Sequence, residues 1–278
     1  MFKSPMIAAP VLLVGLFCGC VDAKSFVSQP DAAPAVDAAP DALTSWPDMV
    51  VPTGDLPTYV GARAMFAHSG KELFSIDPAT LALSKVGPFG AGIPDMNDLA
   101  VTPAGELYGV SVNELFRIDA TTAKASRVTA VPGTANVALT FEAAGTLLAA
   151  DKSGALRRID PQNGNVTPIG SFGPGFEASG DLVAIKDGTL YGVSDAGADK
   201  TNNILITVDP QTGKATRIGQ IGFDHVWGLA YWKGTIYGLT KSGALLSIDP
   251  KTGKGQRVQN YPYEFWGAAV TPLAPIDK

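Results

Sequence analysis

The feature that most constrains this chain is a unit of about forty residues that recurs along it. Each copy carries an Ile-Asp or Val-Asp pair, and the aspartates of these pairs are Asp77, Asp119, Asp160, Asp209 and Asp249. Successive aspartates are separated by 42, 41, 49 and 40 residues. A period of this length is typical of the four-stranded blades of a β-propeller. The repeat therefore predicts an all-β fold that is built from similar units.

Within each unit, four short apolar runs, here named A to D, alternate with turn-forming residues. In the second unit these runs cover residues 99–102, 106–111, 115–119 and 124–129. Runs of about five residues bounded by Gly, Pro, Asn or Asp are typical of strands in an antiparallel meander. The 31 glycines and 21 prolines of the chain suit a fold with that many turns.

The first unit, which begins near Ala62, has no A run, and the C-terminus supplies a spare one. Residues 266–270 (Trp-Gly-Ala-Ala-Val) align with residues 227–231 (Trp-Gly-Leu-Ala-Tyr), the A run of the fifth unit. A C-terminal strand that completes the first blade would close the ring and remove its open edges. The sequence thus predicts a five-bladed β-propeller over residues 58–278. A β-sandwich is the main alternative, but it does not explain the spare run.

Runs C and D are joined by a conspicuous turn, Asp-Pro-Gln-Thr-Gly-Lys at residues 209–214 and Asp-Pro-Lys-Thr-Gly-Lys at residues 249–254. The aspartate can accept hydrogen bonds from the amides that follow it, the proline presets the first turn residue, and the glycine adopts a positive φ. Shorter copies of the motif follow Asp77 and Asp160. We expect a structural turn on the bottom face of the ring, away from the loops that bind, and no metal or phosphate site.

The first nineteen residues have the pattern of a secretory signal peptide. Lys3 precedes an apolar run at residues 6–17, which is too short to favour a spanning helix. Residues 16–20, Leu-Phe-Cys-Gly-Cys, resemble the lipobox of bacterial lipoproteins. The resemblance implies that Cys20 is lipidated and anchors an exported protein to the bacterial cell envelope, at the outer membrane or cell surface. Cleavage without lipidation is the alternative.

Residues 20–57 form a segment rich in Ala, Pro and Asp. It holds six aspartates against one basic residue, Lys24. A segment of this composition cannot bury a core, and its prolines favour an extended chain. The sequence therefore predicts an acidic tether between the lipid and the propeller.

The charge balance and the cysteines exclude several function classes for the propeller. The net charge of −5 arises in the tether, because residues 58–278 hold 19 Lys and Arg against 20 Asp and Glu. Nucleic-acid binding needs a basic footprint, which a nearly neutral domain lacks. The only cysteines are Cys18 and Cys20, so disulfides and cysteine metal sites are excluded from the domain. We expect a monomer.

One candidate metal site lies where the A runs begin. Aligning these runs places Asp98, Asn136, Asp181, Gly228 and Gly267 at equivalent positions that face the central channel. The three oxygen-bearing side chains predict a Ca²⁺ site, since Ca²⁺ takes carboxylate and amide oxygens. The alternative is that they bind channel water or the backbone amides at the strand starts. No other cofactor is expected.

A candidate ligand site lies on the face where the D-to-A and B-to-C loops meet, here called the mouth face. Loops on a rigid scaffold carry function, and the loops flanking the fifth A run and the closing strand combine aromatic and charged residues. These residues are Asp224, His225, Trp227, Tyr261, Tyr263, Glu264 and Trp266. Aromatic faces with a few polar groups suit a sugar or another small ligand. The alternative is that Trp227 and Trp266 pack between blades.

Two further features are expected on the mouth face. His68 is predicted to be an exposed loop histidine between the B and C runs of the first unit. The fourth unit is longer than the others because of residues 194–203, which are either a lid or a tolerated insertion.

The leading functional hypothesis is a membrane-tethered binding or scaffold propeller without enzymatic activity. The sequence contains neither a Gly-x-Ser-x-Gly elbow nor a Walker loop. Its Leu-Tyr-Gly and Ile-Asp-Pro-x-Thr-Gly runs, across residues 62–270, resemble those of secreted bacterial β-propellers. The turns are also similar to those of quinoprotein-type propellers, although the Trp that follows the turn there is absent here. We expect a glycan, a peptide or a protein as the ligand.

The enzyme alternative rests on a second resemblance. Residues 226–229 (Val-Trp-Gly-Leu), followed by Ile-Tyr-Gly at 236–238, are similar to the Trp-Gly-Leu blade of the five-bladed glutaminyl cyclotransferases. Residues 97–99 (Asn-Asp-Leu) are similar to the Asn-Glu-Leu-Glu run of that family, with Ala100 in place of the second acid. The resemblance implies cyclisation of an N-terminal glutamine, but it assigns no catalytic residue to this chain.

Overall fold

A computed structural model of the chain describes residues 65–131, 136–196 and 199–277. The predicted signal peptide, Cys20 and the tether lie outside the described residues. Within them the chain forms strands and turns, and no helix there is long and apolar enough to cross a membrane. The strands, in chain order, are β1 (Met65–His68), β2 (Glu72–Ile76), β3 (Leu83–Pro88), β4 (Asp98–Val101), β5 (Leu107–Val110), β6 (Glu114–Ile118), β7 (Ala125–Ala130), β8 (Asn136–Phe141), β9 (Leu147–Asp151), β10 (Ala155–Ile159), β11 (Val166–Ser171), β12 (Phe176–Ala184), β13 (Leu190–Ala196), β14 (Asp199–Val208), β15 (Ala215–Gln220), β16 (Val226–Trp232), β17 (Thr235–Thr240), β18 (Ala244–Ile248), β19 (Gly255–Asn260) and β20 (Gly267–Ala269).

These strands form five four-stranded antiparallel sheets, each of which is one blade. In four of the blades the strands follow one another in the chain, whereas blade one has the order β20-β1-β2-β3. The C-terminal strand pairs with β1 through Phe66↔Ala269, Ala67↔Ala268 and His68↔Gly267. The inner strands β4, β8, β12, β16 and β20 contact one another in that order around a closed ring. The predicted five-bladed propeller, closed by the C-terminal strand, is confirmed.

Within each blade, burial decreases from the inner strand, which lines the channel, to the outer strand. The inner strand β4 is buried at all four positions, and the outer strand β19 is exposed at nearly all of its positions. Inner strands have a neighbouring strand or blade on every side, whereas outer strands face solvent and carry charge that discourages edge-to-edge pairing. The apolar side chains pack in clusters between neighbouring blades, so the core of the molecule lies in the seams of the ring.

The Leu-Tyr-Gly and Ile-Asp motifs occur together because their side chains share one space. A Cβ on Gly238 would lie 2.7 Å from the Cδ1 atom of Ile248, and one on Gly109 would lie 2.9 Å from that of Ile118. The glycine of the second strand therefore makes room for the isoleucine of the third strand. This packing explains why both motifs recur in the same blades.

The turns between the third and fourth strands have the predicted structural role. In the turn after β14, Asp209 Oδ1 accepts hydrogen bonds from the amides of Gln211 and Thr212, and Gly213 has a φ of 75°. Each turn also abuts the outer strand of the preceding blade, since a Cβ on Gly213 would lie 2.8 Å from the carbonyl carbon of Gly170. The turns are thus joints between blades.

Candidate functional site

The loops that precede inner strands and the loops between second and third strands contact each other, as expected for one mouth face. The amide of Lys241 donates a hydrogen bond to the carbonyl of His225 at 2.8 Å. The carbonyl of Lys241 accepts one from the amide of Phe265 at 3.4 Å. Lys241 therefore joins the two loops that carry the predicted ligand site. We call residues 224–227, 240–243 and 261–266 the blade-five rim.

The first part of the blade-five rim is built around Trp227, which is half-buried at the start of β16. The Nζ atom of Lys241 lies 4.9 Å from the centroid of its ring, within the range of a cation–π contact. The ring of His225 meets it edge-on, with centroids 5.8 Å apart. Asp224 and His225 are exposed, and Asp224 Oδ2 lies 3.3 Å from His225 Nδ1. A φ of 49° at His225 gives this short loop a backbone conformation that non-glycine residues adopt rarely.

The second part of the rim, residues 261–266, turns toward blade one. The amide of Trp266 donates to the carbonyl of His68 at 2.8 Å, and its indole lies beside Gly70. Tyr263 is 37% exposed and packs on Phe74, with ring centroids 4.6 Å apart. Glu264 is exposed on the same loop.

The structure therefore gathers the seven residues of the predicted ligand site on one loop system but divides them into two groups. In the first group, the ammonium of Lys241, a residue that the sequence reasoning missed, lies over the ring of Trp227. His225 contacts the same ring, and Asp224 lies beside His225. The repeat period could have located it, because Lys241 lies in the loop between the second and third strands of the same blade.

The channel holds a second cluster, in which two fully buried carboxyl groups face each other. Asp98 and Asp181 are both 0% exposed, and their carboxyl groups hydrogen-bond each other. Together their oxygens accept backbone amide hydrogen bonds of 2.6–3.2 Å, one from each of the five inner strands. The donors are Leu99, Leu139, Leu182, Leu229 and Ala268. We call Asp98 and Asp181 the channel pair.

Burial makes the ionised form of each carboxyl unfavourable. Burial, and then the neighbouring charge of Asp181, raise the pKa of Asp98 well above its usual range. Burial also raises the pKa of Asp181 to about 7, although the hydrogen bonds it accepts act in the opposite direction. Two carboxyl groups in contact cannot both ionise easily, so the pair retains a proton at neutral pH.

His68 differs from its prediction, because it lies in β1 and is 0% exposed rather than exposed in a loop. It faces the channel pair, with Nε2 3.8 Å from Asp98 Oδ1, and its Nδ1 donates to the carbonyl of Ser69. The side chain fits here because it pairs with a glycine: a Cβ on Gly267 would lie 2.5 Å from His68 Nε2. Burial lowers the pKa of His68 to about 4.

The alignment that placed Asn136 beside the channel pair is wrong by two residues. In blade two, Leu99, the residue after Asp98, pairs with Gly109. The corresponding pair in blade three is Leu139 with Ala149. Ala138, which precedes Leu139 as Asp98 precedes Leu99, therefore holds the equivalent position.

The Oδ1 atom of Asn136 instead accepts a hydrogen bond from the guanidinium of Arg157 at 3.3 Å. Among the described residues, no three His, Cys, Asp or Glu side chains are grouped to hold a metal ion. The Ca²⁺ site stays a prediction, and the positive charge of Arg157 acts against it. The structure gives the two aspartates the alternative role, as acceptors for strand amides.

The insertion of the fourth unit lengthens the hairpin of β13 and β14, and its base is fixed by Asn203. This side chain donates to Ser179 Oγ and Asp195 Oδ1, and it accepts from the amide of Val226 at 2.8 Å. Because Val226 begins β16, the hairpin of blade four helps to position the loop that holds His225 and Trp227.

Comparison with known proteins reveals similarity in fold only. No protein-family model matches the sequence, and no curated protein matches it. A chain from the crystal structure of a nidogen/laminin complex is 11% identical, with a TM-score of 0.51 over 74% of this chain and 97% of that one. A protein from work on the de novo evolutionary emergence of a symmetrical protein is 19% identical, with a TM-score of 0.50 over 76% and 99%. A protein of unknown function from Bacteroides thetaiotaomicron is 15% identical, with a TM-score of 0.48 over 73% and 56%.

The chain is a five-bladed β-propeller. This fold fits a binding or scaffold role in general, and at these sequence identities the solved structures say nothing more about the ligand.

Proposed function

We propose that this chain is a membrane-tethered binding propeller of the bacterial cell envelope, which recognises a glycan, a peptide or a protein at the blade-five rim. The observation that carries the proposal is the arrangement around Trp227. The half-buried indole there contacts the ammonium of Lys241 and the imidazole of His225, and the carboxylate of Asp224 lies beside that imidazole. All of these groups are on loops that rigid strands hold. Aromatic surface with a few fixed polar groups is the usual composition of a ligand site.

The burial of the acid–base groups in the channel favours a binding function over catalysis. Asp98, Asp181 and His68 are all 0% exposed, so a solvent-borne substrate does not reach them. Asp98 is also the acid of the run that is similar to the glutaminyl cyclotransferases, and both of its oxygens accept backbone amides. A general acid or base must lie within hydrogen-bond reach of its substrate.

The anchor and the tether are the second half of the proposal. Cys20 lies at the end of a lipobox-like sequence, and the acidic residues that follow it would hold the propeller away from an anionic membrane surface. In a bacterial host, a Cys20→Ala chain should lose incorporation of a palmitate analogue and move from the membrane fraction to the soluble fraction. If the label and the fractionation do not change, the anchor is wrong.

Binding is tested by screening the full-length chain against a glycan array and a library of cell-envelope peptides. For any probe that binds, Trp227→Ala should weaken binding about thirtyfold, since a buried aromatic anchor contributes about 2 kcal/mol. Lys241→Ala should weaken it less. Trp232→Ala, at the other end of β16, is the matched control and should bind as the wild type does.

Two outcomes would contradict the proposed site. One is unchanged binding in folded Trp227→Ala and Trp266→Ala chains. The other is turnover of a peptide with N-terminal glutamine by the wild-type chain, which would replace a binding function with an enzymatic one.

A further inference from the structure

The channel pair is the strongest unexplained feature of the molecule. The four carboxyl oxygens of these two side chains accept a backbone amide hydrogen bond from the inner strand of every blade. Asp98 reaches from β4 to β8, and Asp181 reaches from β12 to both β16 and β20. The bond between the two carboxyl groups connects the strands that Asp98 bridges with those that Asp181 bridges.

That bond depends on a proton. Two ionised carboxylates offer only acceptors, and at contact distance in a buried site their charges repel strongly. One proton between them turns the contact into a charge-assisted hydrogen bond, which is a short and strong type. The backbone amides provide partial positive charge on the outer side of each carboxyl but do not supply this proton.

We propose that Asp98 and Asp181 form a proton-dependent clasp, in which one shared proton holds the inner strands of the five blades together. In alkaline solution the proton passes to solvent, two like charges remain in the channel, and the ring loses stability. The folded propeller is therefore more stable in acidic to neutral solution than in alkaline solution.

The described side chains that face Asp98 and Asp181 supply no positive charge that would compensate two ionised carboxylates. His68 is the titratable side chain that β1 presents to it. Its Nδ1 donates to Ser69, so Nε2 is the acceptor nitrogen, and it has no hydrogen-bond partner among the described residues. At the equivalent positions, β8, β16 and β20 present Ala138, Gly228 and Gly267. The nearby guanidinium of Arg157, on β10, bonds to Asn136 and Asp151.

The expected pH dependence follows from the number of protons bound. Both carboxyl pKa values lie above those of the unfolded chain, so folding binds protons and stability falls as pH rises through the folded values. The pKa of His68 is lowered from 6.5 to about 4, which has the opposite effect between those two values. Between those values the imidazole offsets one of the two carboxyl protons, so the loss of stability becomes steeper just above pH 6.5. Each excess proton lowers the folding equilibrium constant about tenfold per pH unit.

The test is urea unfolding of the full-length chain at intervals from pH 5 to pH 9.5. Asp98→Asn is the informative variant, because an amide donates to Asp181 at every pH and has no proton to lose. It is destabilised at pH 6, since its nitrogen cannot accept a backbone amide, but its alkaline slope should vanish. Asp95→Asn, which alters an exposed aspartate paired with Lys71, is the matched control and should retain the wild-type slope.

Equal alkaline slopes in the wild type and Asp98→Asn would overturn the proposal. If Asp98→Asn does not fold, infrared spectroscopy of the wild type decides. A protonated carboxyl band should persist at pH 7 in heavy water and disappear on further alkalinisation. Absence of that band from the folded protein at pH 7 would also overturn it.

Discussion

Replacing Asp181 with alanine tests whether burial or the number of hydrogen bonds makes a carboxylate important in this fold. Asp181 accepts the amides of Leu182, Leu229 and Ala268 in a site without solvent access. A buried amide left without an acceptor costs about 1 to 3 kcal/mol. Even at the low end of that range, the three amides together predict a loss of about 3 kcal/mol. This is a large part of the roughly 5 to 15 kcal/mol by which folded domains are stable.

Asp209 is the control, because it accepts two backbone amides, against three for Asp181, but lies in an exposed turn. Water replaces its carboxylate in Asp209→Ala, so the loss of stability should be several times smaller. The assay is urea unfolding at pH 6, followed by far-ultraviolet circular dichroism, with a common m value for all three chains. If Asp181→Ala loses no more stability than Asp209→Ala, the reasoning from burial is refuted.

Three further perturbations test the seams and the channel. Tyr261→Phe removes the 2.7 Å bond from the hydroxyl to the carbonyl of Leu81, between blades five and one, and should cost about 1 kcal/mol in urea unfolding; an unchanged midpoint would contradict this role. Gly213→Ala forces a Cβ to within 2.8 Å of the Gly170 carbonyl carbon at a φ of 75°, and should lower stability by at least about 1 kcal/mol. His68→Gln removes a group whose pKa falls from 6.5 to about 4 on folding. The stability of the wild type relative to this variant should therefore fall by about 3 kcal/mol from pH 6.5 to pH 4, and a constant difference would show that His68 titrates normally.

Most of the fold could be predicted from the repeat, because strands and turns depend on a local sequence pattern. Alternation of short apolar runs with Asp-Pro-x-Thr-Gly turns fixes strands and turns within a blade, and each blade repeats the same residues. The spare run at residues 266–270 also made ring closure predictable, and β20 pairs with β1 as expected. Two of the three loops of the blade-five rim, residues 224–227 and 261–266, followed from the same period, since their place in the repeat assigns them to the mouth face.

Two features of the channel were predicted wrongly, for different reasons. The Asn136 error was one of alignment, because Ala138 stands nine residues before Leu147, as Asp98 stands nine residues before Leu107. His68 was assigned to a loop because β1 extends to the residue where Gly267 leaves space for an imidazole. A missing Cβ on a strand that is distant in the sequence is not visible in a local pattern.

The sequence by itself thus determined the blades, their number, the order in which the ring closes and the residues on its loops, because these depend on local periodicity. Only the tertiary structure decided that Asp98, Asp181 and His68 meet, that Lys241 caps Trp227, and that Tyr263 turns away toward Phe74. Apart from the contact of Lys241 with Trp227, which lies within blade five, these contacts join residues of different blades, and their geometry is set only when the ring is closed. The pKa values in the channel follow from the same closure, since burial by all five inner strands causes them.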